Sequence, residues 1–173
     1  NPFLVRESFI RQKKVVENEL RDFRLAGVDL PPEEKKRFAA ILQNLAQLES
    51  KFEEHIVDAT DSWQYATTNP DDLQGLPQRF IDIAANNAVQ ENLSGWLITL
   101  DYPAYATVMQ NSSNRELRKL FYTAYHTRAS DQGPMAGKFD NSPLLFEILS
   151  LRHELSQLVG FNNFAEYSLA TKA

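Results

Sequence analysis

The chain has 173 residues, with 18 Lys and Arg against 23 Asp and Glu for a formal net charge of −5, and it contains no cysteine. That length suffices for a buried core of domain size. The acidic balance works against a protein that neutralises many phosphates, and the missing thiols exclude disulfides, thiolate ligands and a cysteine nucleophile.

The densest basic cluster, Lys35-Lys36-Arg37, follows Glu33-Glu34 on one expected helix, so no nucleic acid partner is expected. No apolar run reaches the roughly 20 residues of a membrane span. The amino terminus lacks the basic-then-apolar pattern of a signal peptide. Neither a membrane nor a secreted location is expected.

In chain order, Asn1-Pro2 reads as a helix cap with proline at the first helical position. Val5, Phe9, Val16, Leu20 and Phe23 follow at helical spacing, and Gly27 closes the run. A second helix starts near Pro31-Pro32, with Phe38, Ile41, Leu42, Leu45, Leu48, Phe52 and Ile56 on one face. The short connection between the two suggests an antiparallel hairpin. Residues 60–77 are rich in Asn, Asp, Pro and Gly and read as connecting structure.

Further on, a helix is predicted over Gln78–Val89, and "GWLITLDYP", residues 95–103, reads as a short strand ended by Pro103. A lone strand makes no sheet, so it either pairs near Trp63–Thr67 or crosses a helical body as an extended segment. A helical turn at 104–109, a helix bearing Leu117, Phe121 and Tyr125, and a turn-rich loop at 130–143 come next. Asn141 or Ser142 caps a helix running to about Val159, where Gly160 ends it. A final helix starts near Asn163 and runs to the chain end. The expectation is a mainly α chain, an antiparallel helical bundle or lobe with at most one short β-hairpin or extended segment. Residues 1–173 form a single helical region.

Four places invite a chemical reading. His153-Glu154 begins like the HExxH pattern of zinc peptidases, where two histidines four residues apart reach one metal and the glutamate polarises a water. Here Gln157 stands where the second histidine belongs. Leu144, Ile148, Leu151, Leu155 and Leu158 share a face that His153 opposes. His55 lies among Glu53, Glu54, Asp58 and Asp61, but a single histidine lacks the ligand count, and a solvated acidic face is expected. The residues three before His55, His126 and His153 are Phe52, Thr123 and Ser150, which closes the Glu-x-x-His pattern of di-iron bundles. Gly133, Gly137 and Lys138 lack the spacing of a phosphate loop and fit turn chemistry. No G-x-S-x-G elbow is present. Trp63, Tyr65, Trp96, Tyr102 and Tyr105 crowd the middle of the chain, where core packing and a peptide-binding groove use the same residues. From the residues alone, no catalytic, cofactor-binding or metal-binding residue is expected.

Several stretches, in order, resemble the oligopeptidase A and thimet oligopeptidase family of zinc metallopeptidases. They are "RDFRLAGVDLPPEEKKRFAAILQNLAQLESKFEEHIVDAT", "ITLDYPAY", "RKLFYTAYHTRASDQGP" and "GKFDNSPLLFEILSLRHELSQLVGFNNFAEYSLATK". The resemblance runs from about Arg21 to Lys172. It implies a fragment, about a quarter of a two-lobed enzyme, upstream of the catalytic region and part of its non-catalytic portion. In that family zinc sits on the floor of a channel that admits short peptides. The parent is then expected to be a cytoplasmic zinc endopeptidase, with short peptides and its own remaining lobes as partners. The fragment is expected to bind no zinc, to be inactive alone, and to self-associate through uncovered apolar surface. The first residue is Asn1 and the last helix carries no cap, so both ends are expected to be cut. The alternative is a stand-alone helical module that binds peptides or a protein partner.

Overall fold

A computed structural model describes residues 2–172 of the chain, with side chains from residue 11 onward. The cap assigned to Asn1 and the stripe positions Val5 and Phe9 lie outside the described residues. Among the described residues the chain runs α1 (Pro2–Leu25), α2 (Pro32–Asp61), β1 (Gln64–Thr67), a 3-10 turn (Pro70–Leu73), α3 (Gln78–Gln90), β2 (Trp96–Thr99), α4 (Tyr102–Asn111), α5 (Arg115–His126), α6 (Ser142–Leu158) and α7 (Phe164–Leu169). The fold is mainly α with one two-stranded antiparallel sheet, as the sequence leads one to expect. Two compact units divide it, Asn1–Glu49 with Leu145–Ala173, and Ser50–Leu144.

In the first unit, α1 ends where Gly27 takes φ +75°. Gly27 N–H donates to the Arg24 carbonyl and Val28 N–H to the Phe23 carbonyl, the paired bonds that close a helix at a left-handed residue. A side chain at Gly27 would also press on Leu30 and Phe38 at 3.1 Å. Phe38, Ile41 and Leu45 of α2 are buried, as are Ile148, Leu151 and Leu155 of α6, all at predicted stripe positions, whereas Leu42 of the predicted α2 stripe is 47% exposed. The stripe of α1 differs. Val16, Leu20 and Phe23 are 52–57% exposed, and Leu25 is the first buried side chain of that helix among the described residues. Asn163 caps α7 by accepting from Glu166 N–H at 2.9 Å, but the helix stops at Leu169 rather than running to the chain end.

The second unit holds the sheet. β1 and β2 pair with Gln64 opposite Thr99 and Thr67 opposite Trp96, so the partner strand lies in the stretch that sequence reasoning left open. Ile98, Leu100, Val108, Leu117 and Phe121 form the buried centre with Trp63, whose ring meets Phe121 edge-on at 5.0 Å. Burying Phe121 completely contributes about 2–3 kcal/mol.

Pro103 does not end the strand. β2 stops at Thr99, and Asp101 caps α4 by accepting from Ala104 N–H at 3.0 Å, which puts Pro103 in the first helical turn. The expected short turn is therefore a ten-residue helix. A second correction concerns α6. Asp140, not Asn141, accepts from Ser142 N–H at 2.8 Å, and the Ser142 hydroxyl, with this backbone bond second, holds the Asp140 carboxyl below its usual range.

Asp72 joins parts that are distant in sequence. Its carboxylate accepts from Tyr65 Oη at 2.9 Å, Thr67 Oγ1 at 2.6 Å and Asn114 Nδ2 at 3.1 Å. Asn114 Oδ1 in turn caps α5 by accepting from the N–H groups of Glu116 and Leu117. Burial, with the bond to Asp72 second, pushes the Tyr65 phenol up from its ordinary value. Replacing Asp72 by Ala leaves three donors unpaired and is expected to cost about 1–3 kcal/mol in urea unfolding. Asp71→Ala, next to it on the exposed side, is expected to cost less than half as much.

Candidate functional site

His153 is exposed on α6, and the carboxylate of Glu154 is taken up by Arg37. Arg37 Nε donates to Oε1 at 2.5 Å and Nη2 to Oε2 at 2.6 Å, a two-bond fork. That fork holds the Glu154 carboxyl below its ordinary range and raises the Arg37 guanidinium further. A water-activating glutamate needs a free carboxylate beside a metal; this one anchors α6 to α2. A second pair, Arg152 Nη2 to Glu49 Oε1 at 2.7 Å, does the same nearby.

His55 is a tether. Its Nδ1 lies 2.8 Å from Asn141 Oδ1, and Asn141 Nδ2 donates to the Phe52 carbonyl at 3.0 Å. Asn141 is thereby buried to 2% exposure, holding the loop that precedes α6 against α2. Glu53, Glu54, Asp58 and Asp61 face solvent. Among the described residues no group of three or more His, Asp or Glu side chains could hold a metal ion. The loop with Gly133, Gly137 and Lys138 is held by its own turns: Gly137 N–H donates to the Ser130 carbonyl and Ala136 N–H to the Gly133 carbonyl. Gly133, at φ +78°, passes so close to Thr127 that a side chain there would collide with it.

The aromatic residues divide into two groups. Trp63 is buried, and Tyr65 and Trp96 pack against the core. Tyr102 is 66% exposed and belongs to a cluster that sequence reasoning only half identified. Tyr105 stacks on Tyr125 with centroids 4.0 Å apart and planes 14° apart. Tyr105 Oη lies 3.1 Å from His126 Nε2, Tyr122 lies beside His126 at 4.3 Å, and the Arg128 guanidinium covers the Tyr125 ring at 3.6 Å. Burial, then the neighbouring phenols, push the Tyr105 phenol up. Tyr122 and Arg128 escape notice in the sequence, and Tyr125 reads only as a stripe position and His126 only as a failed metal ligand, because they come from one helix and its exit loop, where aromatic spacing looks like ordinary core.

Beside this cluster, α3, β2 and α4 frame a concave groove of 410 Å³. Phe80, Ile83, Leu97 and Pro103 make it mainly apolar, and Arg79 and Asp101 supply its charges. Asn87 Nδ2 reaches the Leu97 carbonyl at 3.4 Å, so α3 satisfies a carbonyl of β2. The groove could accept an extended apolar segment; among the described residues it brings together no nucleophile, base and metal-ligand set.

The model of Peptidase family M3 matches residues 108–173. Oligopeptidase A of Salmonella typhimurium is 48% identical over 161 residues, 93% of this chain and 24% of that protein. Oligopeptidase A of Escherichia coli gives the same figures, 48% over 161 residues, 93% and 24%. A probable cytosolic oligopeptidase A of Arabidopsis thaliana is 36% identical over 168 residues, 93% of this chain and 23% of that protein. The chain belongs to peptidase family M3, in the oligopeptidase A and thimet oligopeptidase group. Within that group its similarity is to oligopeptidase A, and it spans about a quarter of the length of the curated relatives it matches.

The Arg37–Glu154 fork is half-exposed, with 48% and 41% of the two side chains open to solvent, so screening limits its worth. A carboxyl with a depressed folded value stabilises above the ordinary carboxylate range, and this is lost as pH falls through the depressed value. Glu154→Gln is therefore expected to lower the urea midpoint slightly at pH 7, with the difference closing towards pH 3. A midpoint difference that grows on acidification would contradict the assignment.

Proposed function

We propose that this chain is a non-catalytic helical part of a zinc-dependent oligopeptidase that cleaves short peptides in the cytoplasm, and that it has no hydrolytic activity alone. The supporting observation is 48% identity to oligopeptidase A maintained over 93% of the chain. The donor set agrees with this reading, because the three histidines do not fit a zinc site. His55 is bonded to Asn141, His126 meets Tyr105, and His153 is exposed with Gln157 one turn on. On this reading no residue of the chain acts in catalysis or holds the metal. Its part is mechanical: the two ion pairs of α6 and the Asp72 junction hold helical surfaces that other parts of the enzyme, its remaining lobes, would complete. Exposed Phe23 and Phe146, at 55% and 76%, are the apolar surface through which an isolated fragment would self-associate.

The groove framed by α3, β2 and α4 favours a second reading, a stand-alone peptide-binding module. Saturable micromolar binding of short peptides by a chain that never forms part of a peptidase would support it.

The purified chain is expected to leave a quenched-fluorescence peptide intact with or without added zinc, while the full-length protein cleaves it and stops when the metal is chelated. Chelator-sensitive cleavage by the chain alone would overturn the proposal. In the full-length protein His153→Ala is expected to keep kcat/KM within about twofold of the parent.

A further inference from the structure

The helix α6 is apolar on two sides. Ile148, Leu151 and Leu155 are buried, and Glu154 and Arg152 bind the helix to α2 through Arg37 and Glu49. Leu145, Phe146 and Leu149 form the other apolar set, and 46%, 76% and 59% of their surfaces stay open. At about 100° per residue these three share one arc roughly 100° wide. Exposed His153 falls inside that arc, and the buried trio turns away from it.

Charge is missing from this side. Between Arg152 on one flank and Glu154 on the other, α6 exposes Leu145, Phe146, Leu149, Ser150, His153 and Gln157, with no Lys, Arg, Asp or Glu among them. In the whole chain 24% of residues are charged. A surface helix carries its charges on the side away from its core, whereas a helix that is apolar on both sides is a buried one.

The surface itself discriminates between occupants. A short peptide fits poorly, because small ligands are held in concave sites and this is the outer side of a helix. A second copy fits poorly as a stable partner, since three large apolar side chains fall well short of the roughly 20–30 residues a side of a standard interface. They suffice only for loose self-association of an isolated chain. A segment of the same polypeptide needs no such area, because its attachment removes most of the cost of association. The chain spans 24% of the Salmonella relative, so about three quarters of a protein of that length lies outside it.

We propose that the Leu145–Phe146–Leu149 face of α6 is an internal interface, covered in the full-length protein by an uncharged, apolar side of a segment lying outside these 173 residues. That such a segment exists rests on the oligopeptidase reading above; the chemistry of its inner side rests on α6 itself. A Lys or Glu facing this arc would be buried with no charge on α6 to answer it, which is costly. His153 then lies in a contact between helical surfaces.

The test is thiol accessibility. The chain contains no cysteine, so Leu149→Cys places a single thiol on the face. Labelling by N-ethylmaleimide is followed by mass spectrometry of the α6 peptide, in the 173-residue chain and in the full-length holoenzyme, each rate being divided by that of the same protein unfolded in urea. Labelling is expected to be at least about tenfold slower in the full-length protein, where the thiol reacts only through local opening. If Leu149→Cys keeps the full-length protein from folding, Leu145→Cys carries the test with the same expectation. Equal rates in the two proteins overturn the assignment. So does protection that the chain reaches alone at micromolar concentration and loses on dilution, which makes a second copy the covering. Peptide hydrolysis by the same full-length protein separates the two readings. Hydrolysis with an unprotected thiol removes this interface alone, and a protected thiol without hydrolysis removes the oligopeptidase reading alone. A polypeptide that ends at Ala173 overturns both.

Discussion

Three donors from two separate stretches, Tyr65 and Thr67 in one and Asn114 in the other, converge on the carboxylate of Asp72. Tyr65 and Thr67 belong to β1, and Asn114 is the cap of α5. The junction therefore ties the strand to the start of the helix that carries Leu117, Phe121 and Tyr125. β1 supplies the hydrogen-bonding edge for β2, and β2 leads through the Asp101 cap into α4. With α4 and α5 placed in this way, Tyr105 can stack on Tyr125, and α3, β2 and α4 can frame the groove. Sheet, groove and aromatic cluster all depend on one carboxylate that cannot be replaced by an apolar group of similar size, since that would leave three donors without an acceptor.

Much of the helical architecture could be read from the sequence because burial and periodicity coincide there. The stripes Phe38–Ile41–Leu45 and Ile148–Leu151–Leu155 are buried as their spacing implies. Gly27 and Gly160 take the positive φ expected at the helix ends they mark. Where reading failed, local chemistry had two uses and a distant residue chose between them. Asn141 has the side chain of a helix cap, but His55, 86 positions earlier, binds it instead, so Asp140 does the capping. Pro103 can stop a strand or start a helix; the Asp101 cap favours the helix. The Tyr–His–Arg cluster was only partly visible for a similar reason: its members come from α4, α5 and the loop after it, and only the fold stacks Tyr105 on Tyr125 and sets Arg128 against the same ring.

The pair His153-Glu154 shows how a short motif can mislead. Two letters match a zinc-peptidase pattern in a chain that belongs to a peptidase family, yet the glutamate is committed to Arg37, 117 residues away. The coincidence is resolved by geometry. A carboxylate gripped by two hydrogen bonds cannot also activate a water, and an exposed histidine with Gln157 one turn on has no second imidazole to share a metal. The family signal lies in the surrounding sequence, which matches the family model over residues 108–173 and oligopeptidase A over 93% of the chain.

The central claim is that these helices are a supporting part of a larger zinc enzyme whose catalytic residues lie elsewhere in the same polypeptide. Reading the coding sequence past Ala173 in the source genome tests it most directly. The account expects the frame to stay open and reach a helix with the HExxH pattern, followed by a further glutamate able to complete a metal site. A stop codon directly after Ala173 would contradict it and leave a binding module in its place.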